Sequence, residues 1–159
     1  MGLEAGLQAG RNFRDMTNSS LAKSYLKKAL VRVRLLPILL KEGAYSDVVR
    51  EAQEVVELAL KGMLRQIGVE PPKWHDVGSL LVKYRARFEP RVAERLERIA
   101  EASDWLRGER ELSFYGDEDF IPTEEYDLEH GRRAITEARF IVQTARWVIG
   151  SARKNSAES

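Results

Sequence analysis

The sequence predicts an all-α fold, an up-and-down four-helix bundle with one extra short helix. Three observations carry this. Apolar residues recur at helical spacing along most of the chain, and no stretch alternates as a strand. Turn residues divide the chain into four long segments and a short one, with mostly brief links, which favours antiparallel neighbours. The 159 residues suffice for one domain with a hydrophobic core and are too few to expect two. The division expected is a flexible or partly ordered segment over 1–18, the bundle over 19–150 and a disordered polar tail over 151–159.

The first long helix is expected from Ser19 or Ser20 to Lys41, capped by Asn18, Ser19 or Ser20 and stopped by Gly43. Pro37 lies inside it and kinks it between Val33 and Pro37, because proline removes a backbone donor. A second helix runs from Tyr45 or Ser46 to Ile67, with Gly68 as its stop. Its apolar face, from Val48 and Val49 to Leu64 and Ile67, is wide enough to need cover on more than one side. Either it is central to the bundle or it is shared with a second subunit, and the expectation is a homodimer through this face.

Glu70–Lys73 is a rigid two-proline connector. A shorter helix follows from Asp76 or Val77 to about Arg87, and Pro90 starts the next, which runs to about Arg107. Residues 108–122 form the one long irregular segment. Thr123 is expected to cap the last helix, which ends at Gly150.

Composition removes several functions. Lys and Arg total 26 and Asp and Glu 25, so the net charge of +1 gives no global field toward nucleic acid or membrane. Any such binding needs a local patch, and DNA is not an expected partner. There is no cysteine, which excludes disulfides, thiolate metal sites and cysteine catalysis. No apolar run approaches the ~20 residues that span a bilayer, and Met1–Ser20 holds no signal-peptide core. The expected compartment is the cytoplasm. Sparse Asn and Gln beside abundant Arg and Glu suggest a heat-adapted source.

Only His75 and His130 could join a metal site. Asp127 and His130 share a helix face, yet a bundle metal site needs a second such pair, which is missing. No metal and no cofactor are expected. Glu57 and Lys61, spaced i, i+4, read as a surface ion pair worth ~0.3–0.5 kcal/mol or as a polar spot facing a groove. Asp76 reads as a helix cap, with His75 bonded locally. No nucleophile elbow and no phosphate-cradling glycine loop occurs. The segment 117–129 holds Asp117, Glu118, Asp119, Glu124, Glu125, Asp127 and Glu129 and no basic residue, and so complements the stripe of Lys23, Lys27, Lys28 and Arg32.

The segment Ala44–Leu81 resembles the HEPN family at Ala52, Gln53, Glu57, Lys61, Pro72, His75, Leu80 and Leu81. A later stretch is similar to the family's Arg-Tyr-Asp loop at Arg110, Tyr115, Asp117, Pro122 and Tyr126, so the resemblance covers Leu21 to Ile149. It implies a helical bundle that usually dimerises. It further implies one of two roles: a metal-independent RNase, often a toxin, or a module paired with a small nucleotidyltransferase and named for nucleotide binding. The RNase members carry an Arg and a His on the last helix with four to six residues between them. Here Thr123, Glu124 and Glu125 occupy those positions, and Arg132 and Arg133 follow His130.

The leading reading is therefore a non-nucleolytic, dimeric binding module for a nucleotide or a nucleotidyltransferase, as in toxin–antitoxin pairs. The alternatives are an RNase toxin with an atypical site and a purely structural bundle. No residue is assigned a catalytic role. A bound nucleotide or RNA end is expected near Lys61, His75 and Arg110, with Tyr115 as a stacking ring and Glu57, Asp76, Asp117 and Tyr126 in support.

Overall fold

The computed structural model describes the backbone of residues 2–73, 76–114 and 126–157, and the side chains of 17–73, 76–109 and 126–150. These residues form helices α1 (Gly2–Val33), α2 (Leu36–Lys41), α3 (Tyr45–Gln66), α4 (Val77–Lys83), α5 (Pro90–Ala93), α6 (Leu96–Phe114) and α7 (Leu128–Ala157). A 3-10 turn at Arg85–Arg87 follows α4, and no strand occurs among the described residues. The all-α bundle expected from periodicity is the fold. Its four long helices are α1, α3, α6 and α7, but three short helices accompany them instead of one.

The extra pieces have local causes. Pro37 sits in the first turn of α2, so the chain breaks at Arg34 and Leu35 and restarts where a missing N–H costs nothing. Leu35 N–H bonds Arg32 O at 3.0 Å, which tightens the break. A second break separates α5 from α6, where Arg95 N–H reaches back only to Val92 O at 2.9 Å. The first helix begins at Gly2, ahead of the expected caps at Asn18–Ser20. At the other end, α7 begins at Leu128 and continues past Gly150 to Ala157. Thr123, its expected cap, lies outside the described residues. Asp127 supplies a cap instead, accepting from the His130 backbone N–H at 3.0 Å. That bond, followed by the one to the His130 ring, holds the Asp127 carboxyl below its ordinary range.

Gly43 and Gly68 are the two expected stops, and both adopt positive φ, at 74° and 80°. Each closes its helix with paired backbone bonds, such as Gly68 N–H to Arg65 O at 3.0 Å and Val69 N–H to Leu64 O at 2.9 Å. By contrast α6 runs straight through Gly108, so residues 108–114 are helical and not part of an irregular loop.

Helix α3 is the centre. It packs against α1, α7 and α6 at once, with smaller contacts to α2 and α4. Val48, Val49, Val55, Val56, Leu60, Met63 and Leu64 are all buried within the single chain. The wide face that suggested a dimer interface is thus closed by three helices of its own chain. Among the described residues the large apolar side chains left exposed are Val31, Leu35, Ile38 and Leu128. Residues 117–125 of the acidic segment, which was expected to complement the basic stripe on α1, lie outside the described residues. Within the stripe, Arg32 pairs with Glu51 of α3 at 2.9 Å, which raises the guanidinium above its ordinary value. Asp127 and Glu129 pair with His130 and Arg132, on their own helix.

Candidate functional site

Between α3, the entry to α4 and α6 lies a cleft of about 190 Å³, lined by Gln53, Glu57, Leu60, Lys73, Val77, Ser103 and Arg107. Helical spacing places these groups. Gln53 and Glu57 are one turn apart on α3, and Ser103 and Arg107 one turn apart on α6. Asp76 ends the proline connector by capping α4: its Oδ1 accepts from Gly78 N–H at 3.0 Å and its Oδ2 from the Ser79 hydroxyl at 2.5 Å. Such a cap is worth about 1 kcal/mol.

Burial and charge divide the lining into two kinds. Gln53 is only 6% exposed, and its Oε1 is buried with no hydrogen-bond partner. Ser103 is 7% exposed. An unmatched buried amide oxygen costs about 1–3 kcal/mol, and among the described residues Arg65 Nε, Gln66 Oε1 and Glu137 Oε2 share that status. Lys73 and Arg107 provide two cations. Arg107 is held by carboxylates on both sides, with Nη1 3.7 Å from Asp76 Oδ1 and Nη2 2.5 Å from Asp104 Oδ1. A braced guanidinium and an ammonium stand beside a buried amide and a hydroxyl, with the Glu57 carboxylate also in the lining. At 190 Å³ the cleft falls below the ~300 Å³ usual for a whole small-molecule ligand.

Of the candidates read from sequence, Glu57 and Asp76 stand at this cleft. Lys61 sits one turn beyond Glu57, with its Nζ 3.4 Å from Glu57 Oε1. It therefore forms the ion pair its spacing allows, beside the lining instead of in it. His75, Tyr115 and Asp117 lie outside the described residues. Arg110 is on α6, three residues past Arg107, and its side chain also lies outside them. Tyr126 is buried and structural, donating its hydroxyl to Glu109 O at 2.6 Å with its ring edge-on to His130. Among the described residues no group of three or more His, Asp or Glu is placed to hold a metal ion.

Sequence reasoning passed over Lys73, Ser103 and Arg107 as site residues. One signal was present, a hydroxyl at Ser103 within the otherwise apolar stripe of Leu96, Ile99 and Leu106 on α6. The arginine one turn further on shares its face.

A helical bundle with a polar, cation-bearing cleft beside its central helix is the class that fold and site define. The HEPN domain model matches residues 22–148, and the chain belongs to that family. No curated protein matches it. No helix among the described residues is long and apolar enough to cross a membrane.

Proposed function

We propose that this protein is a non-nucleolytic HEPN module that binds a nucleotide through the cleft between α3, α4 and α6. The observation that supports it most is the buried, unpartnered Gln53 Oε1 beside Lys73 and Arg107. The amide accepts from a ribose hydroxyl, Ser103 adds a second polar contact, and the two cations hold the phosphate. The nucleotide's source in this reading is a small nucleotidyltransferase partner, as in a toxin–antitoxin pair. In this reading cleavage is absent because Thr123, Glu124 and Glu125 stand where the RNase pattern has arginine. His130 also spends its Nδ1 on Asp127 Oδ1 at 2.9 Å.

Calorimetric titration of ATP and AMP tests the reading. Wild type binds saturably. Gln53→Leu weakens binding by ~10-fold, the worth of one buried hydrogen bond, while stability stays level or rises because the orphaned oxygen is gone. Arg107→Ala weakens binding by roughly 10–100-fold, and its melting curve reports any loss of fold separately. No saturable binding by wild type, or equal binding by both variants, rejects the site. RNA cleavage by wild type that His130→Ala abolishes restores the nuclease reading.

The homodimer belongs to the same proposal. With the α3 face closed, its interface falls on the exposed Val31, Leu35 and Ile38 at the α1–α2 corner. Light scattering is expected to return a dimer, and Ile38→Glu a monomer. A monomeric wild type at micromolar concentration removes this part.

A further inference from the structure

A second surface, built from other elements, points to a different partner. Helices α1 and α7 pack against each other and leave between them a groove of about 670 Å³, whose walls include Leu30, Val33, Val142 and Trp147. A second groove, of about 560 Å³, continues along α1 past Leu26 and Leu30 to Ile149 of α7. Leu30 stands in both walls, so the two form one channel. Its floor is apolar, with Leu26, Leu30, Val33 and Trp147 half-buried and packed on the core beneath. Helical spacing makes the row, since Leu26, Leu30 and Val33 stand at i, i+4 and i+7 on α1.

Both banks of the channel are basic. Lys23, Lys27 and Arg34 are exposed on the α1 side, and Arg139 and Arg146 are exposed on the α7 side. These five make no ion pair among the described residues, and no described carboxylate lines either groove. The end next to α5 is already engaged. There Arg91 pairs with Glu89 at 2.8 Å and lies 4.5 Å over the Trp147 ring, and Arg95 lies 4.0 Å over the same ring. On a chain whose net charge is only +1, cations are thus gathered on both sides of an apolar floor.

We propose that this channel seats an acidic amphipathic helix of another protein, with its apolar stripe on the floor and its carboxylates on the two banks. Two features choose this occupant. An apolar row at helical spacing between two packed helices accepts the ridge of a third, and no strand among the described residues offers an edge to an extended peptide. Lys23 to Arg34 covers roughly 16 Å of helix, so a partner of about three to four turns fills the length. The second feature is charge, because unpaired cations on both banks meet carboxylates on both flanks of the partner's stripe. A polynucleotide has no apolar row to set on the floor, and its bases would find the Trp147 ring occupied by two guanidinia. A lipid surface is flat and does not reach a floor recessed between helices. A second copy of the chain would bring the same cations to the contact under two-fold pairing. The proposal does not depend on the nucleotide cleft, whose lining shares no residue with either groove.

Fluorescence anisotropy with a designed peptide tests it, about 16 residues long with Leu at the a and d positions of a heptad and Glu on both flanks. Saturable binding is expected, with methyl NMR shifts at Leu26, Leu30, Val33 and Val142. A scrambled peptide of the same composition keeps the charge, loses the stripe and binds at least about tenfold more weakly. The double variant Arg139→Glu, Arg146→Glu, both exposed and outside the core, loses at least about tenfold. Lys41→Glu with Lys83→Glu, the same charge change outside both grooves, keeps binding near wild type. No wild-type binding, equal binding of the scrambled peptide, or equal loss in this control overturns the proposal. Three further results overturn it by naming another occupant. Oligo(U) of about 12 nucleotides displacing the peptide at lower concentration than unlabelled peptide does would mean a nucleic acid. Capture by phosphatidylserine vesicles that Arg139→Glu, Arg146→Glu abolishes would mean a lipid surface. A changed oligomeric state in that variant alone would mean a second copy.

Discussion

Leu60→Ala is expected to lower the unfolding free energy by roughly 2–5 kcal/mol, a drop of about 5–15 °C in melting temperature for a domain of this size. Leu60 is 1% exposed on α3, the helix that α1, α6 and α7 all pack against. Truncation removes apolar contacts and leaves a void, because surrounding helices relax only in part. Leu60 also lines the nucleotide cleft. The variant therefore couples a stability loss to an enlarged cleft, and thermal unfolding by circular dichroism measures the first. A shift under 2 °C would mean that α3 is not the centre of the core.

Gly78→Val is expected to cost about 1–3 kcal/mol, the range for overpacking. A Cβ at Gly78 would stand 2.9 Å from Ala100 Cα, a backbone atom that cannot rotate aside, and 3.4 Å from Ala100 Cβ. Valine adds two further methyl groups to that contact, so α4 must lift from α6. Since α4 is held at its start by the Asp76 cap, displacement also shifts the Asp76 partner of Arg107. Urea unfolding reads the stability change and the nucleotide titration reads the site. A variant with unchanged midpoint and unchanged affinity would contradict the close α4–α6 approach.

The long helices were legible because their apolar spacing and their glycine stops agree. Gly43 and Gly68 end helices in the left-handed region that glycine favours. Gly108 carries the same letter but has no such φ, and a Cβ there would meet nothing, so the helix passes through it. Composition cannot separate these cases. Nor can periodicity say what covers a wide apolar face. Val48 and Val49 needed cover on two sides, and intramolecular neighbours supply it where a partner subunit was expected. Nothing in the sequence marks the break between α5 and α6. At the cleft, Glu57, Lys61 and Asp76 could be singled out because each has a local role in its own helix. Lys73, Ser103 and Arg107 could not, since what unites them is the meeting of three distant segments.

The arginine at the α5–α6 break works as a bolt between two sliding parts. Arg95 sits between rings seven residues apart on α7 and reaches the hydroxyl of fully buried Thr144, which itself donates to Phe140 O at 2.9 Å. A slip of α7 by one helical turn, about 5.4 Å, would unstack both rings and take the Thr144 hydroxyl away from Arg95, leaving it only its bond to Phe140 O. No smaller slip restores the pairing, because the next ring lies a full two turns away. The contacts of Arg95 therefore tie the registration of α7 to the α5–α6 break.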